Sequence, residues 1–182
     1  MRTFIALDLT DEIKVKIKKV TARLKNLPIK AKWAASKNLH ITLQFLGDTS
    51  QEQLDIIKKI IRDISCQYES FKLYLKDFSF FPNSKKPRVF FINFSSDKIL
   101  ETLVEALRKK LNQVGFKEDK KFRPHITLAR IKDLKNIKEL TEKTNQLEVK
   151  DSFKITKISL FKSTLTKKGP IYQEIFKVNL KN

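Results

Sequence analysis

The sequence predicts an α+β fold with two similar lobes, each built from an antiparallel sheet and helices, related by a pseudo-twofold axis with a cleft between them. Two observations support it. The tetrapeptide His-Ile-Thr-Leu occurs twice, at residues 40–43 and 125–128, and such repetition usually reflects duplicated structure. Amphipathic helical stretches and strand-like runs also follow a similar order in both halves. We treat residues 1–182 as a single domain whose approximate halves, 1–87 and 88–182, each carry one motif.

Apolar periodicity divides the first half into elements. Thr10 can cap the first helix, and Ser50 with Gln53 matches a capping box that opens the second. The Pro-rich segment after residue 81 is typical of a loop. The predicted elements are a strand at 3–9, a helix at 10–26, a short extended piece at 32–34, the first motif strand at about 39–46, a helix from residue 50, a strand at 71–81 and a loop at 82–87.

The second half follows a similar order. Its strongest amphipathic pattern predicts a helix that Asp97 caps and Gly115 ends. The polar stretch that follows leads into the second motif. The predicted elements are a strand at 88–95, a helix at 97–115, the second motif strand at about 122–131, a shorter helix at 133–145, and closing strands at 153–161 and 171–180.

Alternation along a strand gives each motif a polar face and an apolar face, because residues i and i+2 point to the same side. In the first motif, His40, Thr42 and Gln44 are expected on the polar face. Phe45 is expected in the core with the intervening apolar residues. The second motif repeats the imidazole and the hydroxyl on one face.

His40 and His125 are the only histidines in the chain. Because the pKa of imidazole lies near neutrality, such a pair can supply one acid and one base. Across a cleft, the pair suits an in-line displacement at phosphorus: one imidazole protonates the departing oxygen while the other takes the proton of an attacking water or hydroxyl. The hydroxyls of Thr42 and Thr127 can bind the non-bridging phosphate oxygens. This scheme uses no metal and no cofactor.

The charge of the chain favours an anionic partner. Lys and Arg number 39 against 20 Asp and Glu, which gives a formal net charge of +19. The excess is spread over both halves, so it is not a basic tail. Such a field attracts polyanions, of which nucleic acid is the obvious class. Lys-rich composition is also found in heat-adapted proteins, so charge alone leaves the partner open.

The residues and motifs present argue against several other classes of protein. Two histidines and one cysteine at these spacings match no zinc signature, and the sequence has neither a Gly-rich phosphate loop nor a nucleophile elbow. No apolar run reaches the length of a membrane span, and the first residues do not match a secretory signal. The lone Cys66 excludes an internal disulfide and favours a reducing cytoplasm. We therefore expect a cytoplasmic protein with no membrane association and no obligate protein partner.

Four stretches carry a resemblance to a known family: 2–9 (RTFIALDL), 38–47 (NLHITLQFLG), 122–130 (FRPHITLAR) and 169–172 (GPIY). With its paired His-x-Thr-x motifs, the chain resembles the 2H phosphoesterase superfamily. Within that superfamily it is most similar to the RNA 2′,3′-cyclic phosphodiesterase branch, the bacterial and archaeal 2′-5′ RNA ligase-like proteins. The resemblance spans nearly the whole chain.

The resemblance implies a bilobal fold and metal-independent hydrolysis of a terminal 2′,3′-cyclic phosphate on RNA to a 2′-phosphate. If the family's roles apply to the matching motifs, His40 would donate a proton to the 3′ oxygen and His125 would activate water. Thr42 and Thr127 would hold the phosphate. Some members also join RNA ends through a 2′-5′ linkage. The expected partner is RNA with 2′,3′-cyclic phosphate ends, with tRNA fragments as one candidate source.

Further residues are candidates for contacts with the substrate. Arg130 matches a family arginine and is a candidate phosphate ligand, but it lies an odd number of residues from His125. On a regular strand it would point away from the site, so its role requires a bulge or the strand end. Trp33 and Tyr172 are candidates for stacking on a base. Arg123 and Lys121 are assigned to a general basic rim.

Two alternatives stay open at this stage. Within the same chemistry, the substrate could be a small cyclic nucleotide or a 2′-5′ oligonucleotide. The chain could also be a non-catalytic module that binds RNA ends, although a passive anion site more readily uses Arg or Lys, which stay charged at neutral pH.

Overall fold

The computed structural model describes residues 1–96, 98–117, 121–133, 135–167 and 169–182. The predicted cap residue Asp97 lies outside these ranges. The chain forms nine strands and four helices within the described ranges. The strands are β1 Arg2–Asp8, β2 Ala31–Trp33, β3 His40–Asp48, β4 Phe71–Phe81, β5 Val89–Ser96, β6 Ile126–Ile131, β7 Asp151–Ile155, β8 Lys157–Thr166 and β9 Gly169–Asn179. The helices are α1 Asp11–Lys25, α2 Gln51–Ser65, α3 Ile99–Gln113 and α4 Ile137–Asn145, with a 3-10 turn at Ser36–Asn38.

The strands form two antiparallel sheets, which confirms the predicted α+β fold with two lobes. The first sheet has the order β3-β1-β8-β9 and the second has the order β2-β6-β5-β4-β7. Each sheet contains one motif strand, β3 in the first and β6 in the second. These two strands also contact each other. The fold therefore brings the two motifs together where the sheets meet.

Each sheet takes strands from both halves of the chain. In the first sheet, β8 and β9 join β1 and β3, while β2 and β4 lie in the second sheet with β5, β6 and β7. Dividing the chain between residues 87 and 88 thus separates the two motifs but not the two sheets. Neither lobe is one contiguous half of the sequence.

The strand predicted at 153–161 is in fact two strands in different sheets. Strand β7 pairs with β4 in the second sheet, whereas β8 pairs with β1 and β9 in the first. The buried positions change phase between them, from Phe153 and Ile155 to Ile158 and Leu160. Thr156 is the one residue between the two strands. The chain crosses from one lobe to the other at this residue.

Two other predicted boundaries differ from the structure. Strand β6 begins at Ile126 rather than near Phe122, and Pro124, which has no backbone N–H to donate, lies just before it. His125 is therefore the residue that precedes the strand. Helix α4 begins at Ile137 rather than at residue 133, after Asn136 in a left-handed conformation with φ of 60°. The capping box of Ser50 and Gln53 is confirmed, with both of its hydrogen bonds present.

The core supports both motif strands with apolar side chains from the helices. In α3, five residues of the predicted apolar stripe are buried, with Leu100, Leu103, Leu107 and Leu111 at 0% exposure. The sixth, Val114, follows the last residue of the helix and is 40% exposed. The buried apolar residues of α1 and α2 belong to the same hydrophobic core. Because burying each such side chain stabilises the fold by about 1.5–3 kcal/mol, the motifs rest on a rigid base. Within the described ranges, no helix has both the length and the apolar character to cross a membrane.

Candidate active site

Both motif strands contain a β-bulge just after the threonine. In β3, Ile5 of β1 pairs with Gln44 and Ala6 pairs with Thr42, so that Leu43 is the extra residue. In β6, the partners on β5 are Phe90 with Ala129 and Phe91 with Thr127, which makes Leu128 the extra residue. A bulge inserts one residue into one strand and so reverses the alternation of faces beyond it.

The bulges decide which residues face the site. Gln44, predicted on the polar face beside Thr42, is 1% exposed and points inward. Phe45, predicted as core, is 59% exposed and lines a cavity that contains both histidines. Both predictions were wrong because they assumed regular alternation. Arg130 lines the same cavity, so the bulge that its role required is present.

The cavity between the motif strands has a volume of about 310 Å³. It contains the imidazole and the hydroxyl of each motif, with aromatic and cationic side chains around them. A wider groove of about 590 Å³ on α3 contains neither histidine. The residues of the smaller cavity used below are Lys32, Trp33, Asn38, His40, Thr42, Phe45, His125, Thr127, Arg130, Gly169, Pro170 and Tyr172.

A backbone carbonyl two residues earlier orients each imidazole. The Nδ1 atom of His40 lies 2.7 Å from the Asn38 carbonyl oxygen, and that of His125 lies 2.7 Å from the Arg123 carbonyl oxygen. Because a carbonyl can only accept, Nδ1 carries the proton and donates in both cases. The Nε2 atom of each ring is then available to exchange a proton. In His40, Nε2 lies 3.0 Å from Thr42 Oγ1.

Asn38 contributes a second contact that the sequence did not indicate. Its side-chain Nδ2 donates to the Pro170 carbonyl at 2.9 Å, which ties the 3-10 turn before β3 to the start of β9. The carbonyls that hold the two histidines left no signature in the sequence, since any residue supplies one. Their common spacing, two positions before each histidine, becomes apparent only in the structure.

Stacked aromatic rings pack against both histidines. The ring centroid of His40 lies 4.9 Å from that of Phe4, and Phe4 stacks on Phe161 at 5.3 Å. The ring centroid of His125 lies 5.1 Å from Phe81 and 5.4 Å from Phe91, and these two rings stack at 4.1 Å. The two halves of the site thus repeat both the motif and its hydrophobic support.

This packing lowers the pKa of both imidazoles below 6.5, the ordinary value for histidine, because burial penalises the charged form. For His40, the Asn38 carbonyl and the Asp8 carboxylate oppose the shift, and the positive charge of His125 adds to it. For His125, the nearby Arg130 guanidinium also lowers the pKa. Positive charge on His125 therefore disfavours positive charge on His40, which opposes protonation of both rings at once.

The remaining predicted residues lie around this centre. Tyr172 meets His40 edge-on, with ring centroids 5.2 Å apart, and burial raises the pKa of its phenol above 10.0, so the hydroxyl stays protonated at neutral pH. Trp33 lines the cavity and packs edge-on against Phe90 at 6.0 Å. Arg123 and Lys121 are exposed. Across the described ranges, no group of three or more His, Cys, Asp or Glu side chains could hold a metal ion.

Comparison with known proteins confirms the resemblance on which these expectations were based. Residues 11–166 match the model of a family described as the 2′-5′ RNA ligase superfamily. A Methanocaldococcus jannaschii protein named RNA 2′,3′-cyclic phosphodiesterase is 36% identical over 177 residues, covering 96% of this chain and 98% of that protein. A Thermotoga maritima protein of the same name is 34% identical over 182 residues, covering 97% and 94%.

Solved structures have the same fold along the full chain. A crystal structure of a Thermus thermophilus protein superposes with a TM-score of 0.82 at 28% identity, covering 100% of this chain and 98% of that one. The duplicated motif and the two-sheet architecture agree with the match to the family model and with the similarity to relatives along the full chain. The chain belongs to the 2′-5′ RNA ligase superfamily.

Proposed function

We propose that this chain is an RNA 2′,3′-cyclic phosphodiesterase that hydrolyses a terminal 2′,3′-cyclic phosphate to a 2′-phosphate. The observation that carries the proposal is the pair of imidazoles on one cavity, each fixed through Nδ1 to a carbonyl 2.7 Å away. Each ring therefore presents Nε2 for proton transfer. Relatives that match nearly the full chain are named RNA 2′,3′-cyclic phosphodiesterase, which supports this substrate.

The two histidines divide the acid and base work. His125 Nε2 takes a proton from water as the water oxygen forms a bond to phosphorus. The bond from phosphorus to the 3′ oxygen breaks in line with this attack, and protonated His40 gives its Nε2 proton to that oxygen. The product keeps the phosphate on the 2′ oxygen. The enzyme is left with His40 neutral and His125 protonated, and proton exchange with water restores the starting state.

Thr42, Thr127 and Arg130 hold the phosphate between the two imidazoles. The hydroxyls can donate to non-bridging oxygens, whose negative charge Arg130 partly neutralises. In the free protein, Thr42 Oγ1 and His40 Nε2 form a hydrogen bond of 3.0 Å. Phosphate binding replaces this contact. The anion also stabilises the protonated form of His40, which offsets the effect of burial on its pKa.

An aromatic wall beside the phosphate site suits the terminal nucleobase. Phe45 is the best-placed ring, because it lines the cavity and is 59% exposed, and base stacking requires an accessible face. The Tyr172 ring already packs against both His40 and Phe4. We therefore assign Tyr172 to holding His40 and Phe45 to stacking.

The same geometry accommodates RNA joining. If the 5′-hydroxyl of a second RNA end replaced water, the same attack and the same leaving oxygen would produce a 2′-5′ linkage. We propose this as a secondary activity, with fragments of tRNA as one candidate source of ends. The exposed, unpaired Cys66 thiol fits a cytoplasmic location.

An RNA oligomer ending in a 2′,3′-cyclic phosphate, incubated with excess chelator, tests the reaction. We expect conversion to a 2′-phosphate by the natural protein and by Lys72→Gln, which changes an exposed residue of β4. His40→Ala and His125→Ala should each lose about 10²- to 10⁴-fold in rate. A 3′-phosphate product would contradict the assigned leaving group. Tight binding without turnover by the natural protein would instead favour a module that binds RNA ends.

A further inference from the structure

Two cationic side chains line the cavity, and they are direct neighbours across two strands. Lys32 of β2 pairs with Arg130 of β6 in the antiparallel register. Residues opposite each other in such a pair project from the same face of the sheet. Both side chains therefore point to the same side of the second sheet, beside the histidines.

This pair carries unbalanced positive charge. Among the described residues, neither Lys32 nor Arg130 forms an ion pair, and the described lining of the cavity contains no Asp or Glu. Like charges placed directly opposite in a sheet are unfavourable unless an anion lies between or beside them. A concave wall also strengthens the field that such a pair produces.

A second like-charged pair shows that the position, and not the pairing alone, is informative. Lys72 of β4 lies opposite Lys154 of β7, and both are exposed to solvent. Neither belongs to the lining of the cavity. All four side chains are exposed, so the two pairs differ in that only Lys32 and Arg130 line the cavity with the histidines. Lys72 therefore provides a matched control for Lys32.

The Lys32 ammonium lies beside Gly169. A Cβ atom on this glycine would lie 3.3 Å from Lys32 Cε and 3.5 Å from Nζ, and its φ of +139° is one that other residues rarely adopt. The Lys32 side chain thus reaches from the second sheet to the start of β9 in the first sheet. Arg130, by contrast, lies near enough to His125 to lower its pKa. Lys32 therefore adds a second positive charge to the cavity on the side of Gly169, next to that of Arg130.

We propose that Lys32 forms a second anion subsite, which binds the phosphodiester group adjoining the cyclic end of the RNA. This inference rests on the proposed function, in which Arg130 serves the reacting phosphate. A nucleoside 2′,3′-cyclic phosphate has a single phosphate and leaves the subsite empty. An oligonucleotide fills both positions, so the enzyme prefers an RNA strand to a mononucleotide.

The test compares a trinucleotide ending in a 2′,3′-cyclic phosphate with the corresponding nucleoside 2′,3′-cyclic monophosphate. The readout is the ratio of their kcat/KM values in the natural protein, Lys32→Gln, Lys32→Arg and Lys72→Gln. We expect Lys32→Gln to reduce the ratio about five- to tenfold, through KM for the trinucleotide. In a plot of log kcat/KM for the trinucleotide against log salt concentration, the slope should also become shallower by about 0.7. Lys32→Arg should restore most of the ratio, and Lys72→Gln should not change it.

The outcomes separate the two proposals. If Lys32→Gln lowers kcat/KM equally for both substrates, Lys32 contacts the reacting phosphate and the second subsite is wrong. If neither kcat/KM value changes, Lys32 binds neither group and the inference fails. If the natural protein hydrolyses neither substrate, the proposed function itself fails. Thermal unfolding of each variant checks that the exposed substitutions leave the fold intact.

Discussion

Phe45 and Arg130 occupy the same position in the two copies of the motif, five residues after His40 and His125 respectively, and both line the cavity. Each is brought to that face by a bulge whose extra residue lies two positions earlier. The pseudo-twofold therefore places an aromatic ring where its counterpart has a guanidinium. The two motifs are related by symmetry, but the site they form is not symmetric: the end with Phe45 suits a base and the end with Arg130 suits a phosphate.

Replacing Phe45 with alanine should weaken substrate binding with little effect on stability. Loss of base stacking is worth about 1–3 kcal/mol, so KM for an RNA end should rise about 5- to 150-fold. The free energy of unfolding should change by roughly 0.5 kcal/mol or less, since the ring is mostly exposed. Steady-state kinetics and denaturant unfolding measure the two effects. A loss of several kcal/mol in stability would mean that Phe45 acts as a core residue, and Phe45→Tyr serves as the conservative control.

The dependence of kcat/KM on pH should be bell-shaped and lie on the acid side of the ordinary histidine pKa. The proposed mechanism requires one neutral and one protonated imidazole, and burial lowers the pKa of both below 6.5. Raising the pH through the lowered values removes the acid, and lowering it protonates the base. The profile of kcat should extend to higher pH, because bound phosphate favours the protonated form. A flat profile from about pH 5 to 9 would contradict the pairing.

The Arg130→Gln variant should identify which limb of the pH profile of kcat/KM reports the titration of His125. The guanidinium lowers the pKa of this imidazole, so its removal should move that limb to higher pH. The limb of His40 should move less, because Arg130 is not among the charges that shift its pKa. Profiles of kcat/KM for both proteins provide the comparison. Equal movement of both limbs would assign them to the coupled pair as a whole.

Replacing either threonine with valine should slow the chemical step. Valine keeps the β-branched shape and removes the hydroxyl that the mechanism assigns to a phosphate oxygen. Loss of one such donor should lower kcat about 10- to 1000-fold, with Thr42 and Thr127 giving similar effects because the motifs are duplicated. Rapid-quench measurements of a single turnover would report this step directly. An effect on KM alone would show that the hydroxyls bind substrate and transition state equally.

The local pattern predicts most of the helices and strands but not the face on which each motif residue lies. The His-Ile-Thr-Leu repeat, the α3 stripe and the capping box depend on short-range spacing, and each appears where it was predicted. The bulges depend on how β3 and β6 align with β1 and β5, which are distant in sequence. This is why Gln44 and Phe45 were placed on the wrong faces. The single strand predicted at 153–161 missed the change of sheet at Thr156, because the sheet that each strand joins depends on partners distant in sequence.

The bulge in β3 should depend on Arg108, and Arg108→Met should therefore impair substrate binding from outside the cavity. The carbonyl of Leu43, the extra residue of the bulge, accepts from Arg108 Nη2 at 3.0 Å and Nε at 3.3 Å. The guanidinium also lies over the Phe122 ring, 5.4 Å from its centroid. Arg108 thus connects the bulge of the first motif to the segment that precedes His125.

Methionine at this position would leave the Leu43 carbonyl without its donors, at a cost of about 1–3 kcal/mol in the free energy of unfolding. The bulge would then hold Phe45 less firmly, so KM for an RNA end should rise while kcat changes less. Lys109→Met, at an exposed neighbouring position on α3, provides the control for loss of charge. A double variant with Phe45→Ala separates the possible causes: if Arg108 acts through Phe45, the two effects on KM will be less than additive. Fully additive effects would show instead that Arg108 acts by a route independent of Phe45.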